Sequence, residues 1–391
     1  MPETASHVST DEVRRRVADL ERLIAEEYKP QHPAKKRDWR TYEQQLAVRI
    51  RQVMRNLGPL VQEACAFHRA PHPGPKPTLT LEQKLTLILL KILYKQSNRR
   101  MSFGLVAFSL LSGIELSYKG VERLYSDPEV QVALLNLHTL MMKRRGLRAA
   151  DVTGDGTGYT LTINQHYATT ATKEKERAKE NPTPEATPPG SGTKEGAERS
   201  KKTKRFVYSF RLLDLRTWLY VAYGTSLKSE REAYDSALAW LQWQGIVVRS
   251  VRLDRYYSHP TDAEKFRGAA FYFLPKKDAR VHLQHEFLQA LRSIVKEPIA
   301  YLEEYFKREH SESANSADKR MLGWTIPQRR TDRIGTADRC HATWHNLLNL
   351  YGPDRPPPTA ATGPGRPSAG SEPADGPQPL PACLDLPPGP Q

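Results

Sequence analysis

The sequence predicts an α+β / α/β protein, with a mostly helical N-terminal region leading into a mixed five-stranded sheet with helices packed on it. Three features carry that expectation. Apolar residues recur at helical spacing over residues 8–147; from 148 the pattern changes to short, β-prone segments; from 280 helical spacing returns.

The elements follow in order. Residues 8–28 carry Val13, Val17, Leu20, Leu23 and Ile24 among charges, which predicts an amphipathic helix. A basic, proline-punctuated stretch over 29–40 interrupts it, and 41–68 reads as helix again. His72, Pro73, Gly74, Pro75 and Pro77 mark a break. Thr80 with Gln83 predicts a capping box at the head of a Leu/Ile-rich helix over 81–95. Residues 102–126 read as helix–turn–helix: 102–111, a turn at Ser112-Gly113, and 117–125, which carries Lys119 and Arg123 as candidate DNA contacts. An ordinary pair of bundle helices fits the same residues. Asp127-Pro128 starts another helix. It ends at Lys143-Arg144-Arg145-Gly146, where cations suit the negative end of the helix dipole and Gly the position beyond it.

Residues 149–155 and 159–163 predict two short strands, with Asp155 ending the first. The stretch 170–204, dense in Lys, Glu, Pro, Thr and Gly, cannot bury a core and predicts a disordered insert. Residues 206–213 and 217–223 predict an antiparallel hairpin about Asp214-Leu215-Arg216. Ser229 with Glu232 predicts a capping box before a helix over 230–244, which Gly245 ends. Residues 246–253 and 271–274 predict further strands, Asp254 closing the first of these, and 280–321 predicts helix. Antiparallel strands followed by α/β crossovers are the strand order of an RNase H-like sheet. The expected organisation is an N-terminal helical region over 1–77, partly flexible, then a helical, DNA-binding 78–147. The RNase H-like catalytic core follows over 148–351, and a Pro/Gly-rich disordered tail over 352–391.

Composition bounds the function. The chain has 391 residues, 38% of them hydrophobic, enough for a packed core, whereas 30 prolines are too many for one compact globule. Fifty-nine Lys and Arg against 44 Asp and Glu leave a net charge of +15, a long-range potential that attracts polyanions such as nucleic acid without naming any chemistry. Cys65, Cys340 and Cys383 are too scattered for a disulfide framework. The longest apolar run, 85–94, is interrupted by Lys91 and too short to span a bilayer, and the N-terminus lacks the apolar core of a signal peptide, so a soluble intracellular protein is expected, with no membrane partner. No phosphate-binding P-loop is present. Cys340, His341 and His345 lack a fourth zinc ligand at the usual spacing and read as ordinary helix residues.

Carboxylates carry the chemistry. Two-metal phosphodiester cleavage needs two or three of them on rigid elements, converging on divalent ions that prefer hard oxygen ligands. Asp155 stands in Gly154-Asp155-Gly156-Thr157-Gly158, where small neighbours admit a phosphate to the backbone; Asp254 stands in Leu253-Asp254-Arg255-Tyr256-Tyr257-Ser258; Glu312 lies in the late helix. Asp151, on the same strand face as Asp155, and Glu309, a turn before Glu312, are the alternatives for the first and third positions. On one helix, Tyr305, Arg308, Glu312 and Lys319 fall near a single face, offering a metal ligand, two cations for phosphates and a ring for a base.

This spacing, Tyr, two residues, Arg, three residues, Glu, six residues, Lys, resembles the Y-R-E-K signature of a group of bacterial and archaeal insertion-sequence DDE transposases. The segment Gly154–Gly158 resembles their first Asp motif and 253–258 their second; the match covers residues 100–351. The resemblance implies Asp155, Asp254 and Glu312 as ligands to Mg2+ or Mn2+, as a pair of ions, with Arg308 and Lys319 on transposon-end DNA and Tyr305 near the scissile strand. It makes 323–351 the family's basic helical end. It further implies cleavage at the element's ends and strand transfer into double-stranded target DNA by a homodimer in a cytoplasmic, nucleoid-associated setting. One departure is plain: the interval from Asp254 to Glu312 is short and reads as helical, without the large β-rich insertion tied to hairpin formation in several members. A domesticated, catalytically silent DNA-binding protein would keep the basic helices but lose a carboxylate; an RNase H-like nuclease would share the carboxylates without strand transfer.

Overall fold

In a computed structural model, residues 8–33, 38–68, 78–112, 116–161 and 206–352 are described. The break expected at 72–77, Gly113 of the expected turn, positions 162–163, the insert over 170–204 and the tail from 353 lie outside these residues.

The leading helices form where capping and apolar spacing coincide. In α1 (Thr10–Leu23), Ser9 accepts from the Glu12 amide and Val13, Val17, Leu20 and Leu23 are buried; a π-helical turn, Ile24–Tyr28, continues it. In α2 (Trp39–Cys65) the buried stripe runs only from Val53 to Cys65. In α3 (Leu81–Leu93) the expected capping box is complete: Thr80 Oγ1 accepts from Gln83 N at 3.3 Å and Gln83 Oε1 from Thr80 N at 2.9 Å. Then follow α4 (Asn98–Ser112), α5 (Tyr118–Leu124), and α6 (Pro128–Arg144), whose N-terminal amides are met by Asp127.

The sheet has six strands rather than five: β1 (Ala149–Leu161), β2 (Phe206–Asp214), β3 (Tyr220–Ser226), β4 (Val247–Arg252), β5 (Ala270–Tyr272) and β6 (Thr325–Ile326). Their order is β3-β2-β1-β4-β5, with β6 also against β1; β2 runs antiparallel to both β1 and β3, while β4 and β6 run parallel to β1 and β5 parallel to β4. The two short strands expected over 149–155 and 159–163 are one continuous strand, because β2 pairs with β1 without interruption from Val152 to Thr160. Asp155 therefore sits in mid-strand, not at a strand end.

Helix α7 (Glu230–Gln244) packs on β2 and β3, with Gly245 ending it at φ 66°. Its capping box is half formed. Ser229 accepts from Glu232 N at 3.1 Å, but the Glu232 carboxylate turns to Ser226 Oγ. The helix lies so close to β3 that a Cβ at Gly224 would be 2.1 Å from Ala233 O and 2.5 Å from Ala237 N. Both obstacles are backbone, so Gly224→Ala is expected to cost about 3 kcal/mol, read as a lowered denaturant midpoint.

The helix expected over 280–321 is three helices: α8 (His285–Lys296), α9 (Pro298–Phe306) and α10 (Glu309–Leu322). Pro298 opens α9, supplying no N–H. At the second break, Lys307 N bonds Glu304 O and Arg308 N bonds Tyr305 O, three-residue spacings that tighten the chain and re-aim it. The last helix, α11 (Thr331–Leu350), is buried on nearly all sides against α3, α6 and β3, and Trp344 Nε1 donates to Leu89 O at 2.8 Å. It is thus a core helix, and the basic helical end expected at 323–351 is confined to its approach, where Arg329 and Arg330 are exposed. The described residues form one compact unit in which the leading helices and the sheet share a core. Among the described residues no helix is long and apolar enough to cross a membrane.

Candidate active site

Three elements bring Asp155, Asp254 and Glu312 around one cation. Asp155 projects from the middle of β1 toward α10, where Asn315 Nδ2 donates to its Oδ2 at 3.3 Å. Asp254 caps the short helical turn Arg255–Tyr257 just past β4 and accepts from Arg255 N at 2.7 Å. Glu312 lies in the first turn of α10. Between the last two sits Arg308, its Nη1 at 2.7 Å from Glu312 and 4.0 Å from Asp254. Thr153 of β1 lies within hydrogen-bonding reach of Arg308 O at 3.4 Å and Ser311 Oγ at 3.3 Å, which fixes the start of α10 against the sheet.

Electrostatics registers the convergence. Burial pushes the Asp155 carboxyl up to about 7, and the negative charges of Glu312 and Glu230 push the same way, against Asn315 and Arg308. Burial alone would lower Arg308, yet the Tyr305 ring and the charges of Glu312, Asp254 and Asp155 hold it above the ordinary guanidinium range.

The other expected residues distribute unevenly. Lys319 is at the site: its Nζ lies 5.4 Å from the Tyr159 ring and 5.2 Å from the Trp324 ring, and Asp155 is among its electrostatic neighbours. Tyr305 is not the accessible ring the single-helix reading expected. The break before α10 leaves it in α9, 2% exposed, with the Arg308 guanidinium 5.6 Å from its ring; it supports the arginine and cannot stack on a base. Lys119 and Arg123 are exposed on α5, away from the carboxylates in sequence and element, and Arg99 and Lys119 both lie 5.4 Å from the Tyr118 ring. Of the alternatives, Asp151 is engaged by Arg249 and Ser250, and Glu309 is exposed and interacts with Tyr28.

Sequence reading missed two contributors. Asn315, one turn beyond Glu312, needs only the three-residue helical spacing to be found, but its partner across the sheet is invisible in the sequence. Glu230 opens α7 on the opposite face of β1; its carboxylate lies over Gly156, where a Cβ would be 2.2 Å from Glu230 Cδ, and it accepts from Tyr257 Oη at 2.7 Å. Gly154 is likewise a packing glycine, since a Cβ there would meet Leu253 and Phe210 at 2.7 Å.

Three carboxylates without thiol or imidazole suit a hard divalent cation, which would offset both the burial and the Glu312 charge that raise Asp155. Among the described residues no group of three or more His, Cys, Asp or Glu side chains is already gathered at metal-binding distance, and the cation between Asp254 and Glu312 here is the Arg308 guanidinium.

Fold and site together are those of a mixed α/β protein with an acidic centre framed by Arg308 and Lys319. The chain is 35% identical over 336 residues to a probable transposase for insertion sequence element ISA1214 of Archaeoglobus fulgidus, an alignment covering 85% of this chain and 94% of that protein. The chain belongs to the insertion-sequence transposases. No family model matches it. No solved structure matches it either.

Proposed function

We propose that this protein is a DDE transposase that cleaves DNA at insertion-sequence ends and joins them to target DNA, with Asp155, Asp254 and Glu312 as its reactive centre. The observation that carries the reading is the gathering of carboxylates from β1, the end of β4 and α10 around Arg308. The β3-β2-β1-β4-β5 order, antiparallel on one side of β1 and parallel on the other, supports an RNase H-like core.

The three carboxylates would hold two Mg2+ or Mn2+ ions, which when bound supply Lewis acidity for the attacking and leaving oxygens. The chain's own residues do the rest. Asn315 fixes the Asp155 carboxylate, and burial of Asp155 keeps bulk water from its inner side. Arg308, released from Glu312 once that carboxylate is engaged elsewhere, is free to pair with a phosphate, and Lys319 offers a second cation across the site. Water attacks the phosphodiester in line, breaking the bond to the 3′-oxygen and leaving a 3′-hydroxyl. That hydroxyl then attacks a target phosphodiester, so one P–O bond forms as another breaks and no protein–DNA bond is needed. Joining two ends calls for two such centres, hence a homodimer on double-stranded DNA in the cytoplasm, with Lys119 and Arg123 on the duplex.

The test is cleavage of DNA carrying the element's ends in Mg2+ or Mn2+, native protein against Glu312→Gln. Metal-dependent nicking that falls on the order of 10³-fold in the variant, with DNA binding kept, is expected. Tight binding without nicking by either protein would mark a catalytically silent DNA-binding protein. Nicking without 3′-end joining would mark a nuclease, and nicking that survives the substitution would remove Glu312 from the centre.

A further inference from the structure

Among the described residues, the edge of β1 that faces away from β2 pairs with a strand in two places. Pairing with β4 ends at Thr153↔Arg252, and pairing with β6 begins at Thr160↔Thr325. From Asp155 to Tyr159 this edge has no strand beside it. Thr160 N donates across it to Trp324 O at 3.1 Å, while Asp151 O, across the opposite edge, accepts from Leu215 N at 2.8 Å. Main-chain polar groups alternate between edges along a strand. Gly156 and Gly158, in phase with Thr160, therefore direct their N–H and C=O groups out of the open edge. Both residues are half-buried rather than enclosed.

We infer that this open edge grips a DNA strand by its phosphates, the amides of Gly156 and Gly158 donating to non-bridging oxygens. The inference rests on the reading of the site as one that acts on DNA, and adds how the strand is held. Glycine inside a strand weakens it and marks a close approach of another chain. At Gly156 the Glu230 carboxylate already accounts for the missing side chain, but at Gly158 a Cβ would meet only Phe206 at 3.4 Å and Val207 O at 3.8 Å, ordinary contacts. Packing thus leaves Gly158 unexplained. The two donors are about 6.6 Å apart along the strand, so neighbouring phosphates of one extended strand can each meet one. Cations stand at both ends of the opening: Arg308 beside Asp254, and Lys319 against Tyr159 and Trp324. The Asp155 side chain leaves toward α10 and does not occupy the edge. A peptide strand fits less well. The opening exposes two outward-facing residues and is closed at both ends by β4 and β6, so an added ladder could not extend.

The experiment uses the full chain in EDTA with a short fluorescein-labelled oligothymidylate, titrated over a salt series. Gly158→Pro removes the amide proton without touching the β2 pairing edge. It is expected to weaken binding about tenfold and to flatten the log–log salt dependence by about 0.7, one phosphate contact on a single strand. Gly158→Ala keeps the proton and is expected to lose less affinity than Gly158→Pro, its methyl crowding the close approach but leaving the salt slope at the native value. Binding by Gly158→Pro equal to native, with an unchanged salt slope, would overturn the inference. Hydrogen exchange on the native protein decides the matter even if the proline variant does not fold: the Gly156 and Gly158 amides should slow when the oligonucleotide is bound, and unchanged exchange there also overturns it. The two readings fail separately. Weakened binding in Gly158→Pro with no metal-dependent nicking by native protein retires the cleavage reading alone. Unchanged binding, with nicking that Glu312→Gln abolishes, retires the phosphate edge alone.

Discussion

Replacing Asp155 with Asn is expected to reduce strand cleavage by on the order of 10³-fold or more and, in the same protein, to raise stability at pH 8. The first effect follows from losing the carboxylate that burial and Asn315 hold in place at the centre. The second follows from the direction of its shift. Burial, with Glu312 and Glu230 adding to it, raises the folded-state value to about 7 from the ordinary aspartate value of 3.8. The folded protein therefore binds this proton more tightly than the unfolded chain, and stability falls as pH rises from 4 toward 7. Below that window both states are protonated and the penalty vanishes. A shift of this size sets an upper bound of about 4 kcal/mol; with Glu312 half-exposed and screened, about 1–2 kcal/mol is the gain expected at pH 8. Thermal unfolding of native protein and Asp155→Asn at pH 8 and pH 4.5 tests it: the variant should melt higher at pH 8, with the difference shrinking at pH 4.5. Mg2+ should raise the melting temperature of native protein more than that of the variant. Equal melting at both pH values would show that Asp155 is not the strained member of the centre.

What could be read in the sequence is what short-range physics decides. The capping residues Thr80, Asp127 and Ser229 and the stop at Gly245 sit where local hydrogen bonding and the left-handed conformation require them. The three candidate carboxylates were legible as strand and helix residues; Asp254 and Glu312 flank Arg308, and Asp155 is among the charges that act on it. What failed depended on partners distant in sequence. Asp155 was expected to end a strand because glycines surround it, but β2 holds the strand straight through, and Gly154 and Gly156 make room for Leu253 and Glu230. The single helix over 280–321 failed at Pro298 and again at Lys307 and Arg308, where no proline or glycine signals the break and where Thr153 of β1 lies within hydrogen-bonding reach of Arg308 O and Ser311 Oγ. Helix α11 lies in the stretch 323–351 that the resemblance made a basic helical end, and His, Asn, Asp and Arg recur in it. Its burial becomes intelligible only from the partners that satisfy those groups: Asn346 meets both polar atoms of the Tyr220 backbone, at 2.7 and 3.0 Å, and His345 meets Asp318 at 2.8 Å.

That buried polar network is where the largest loss of stability is expected. Arg211 is 0% exposed and stands opposite Asp155 in the β1–β2 register. Its guanidinium donates to Asp318 at 2.8 Å, Asp338 at 3.0 Å and Tyr159 Oη at 2.7 Å, and lies 5.1 Å from the Tyr220 ring. Burial would raise the Asp318 carboxyl, but His345, Arg211 and Tyr220 together hold it below the ordinary range. Arg211→Met keeps much of the volume and removes the charge, stranding two buried carboxylates. A loss of about 3–5 kcal/mol is expected, seen as a large fall in the urea midpoint. Converting Asp318 and Asp338 to Asn in the same chain should recover a substantial part, because the stranded charges, rather than lost packing, dominate the loss. Recovery would also bear on the active site. Tyr220 Oη links Asp318, at 2.8 Å, to Asn315, at 3.3 Å, and Asn315 holds Asp155. A triple variant that folds but cleaves poorly would place the network among the determinants of Asp155 geometry. An Arg211→Met protein as stable as native would mean that the two aspartates are already neutral in the folded state, and the ion-pair account of this core would fall.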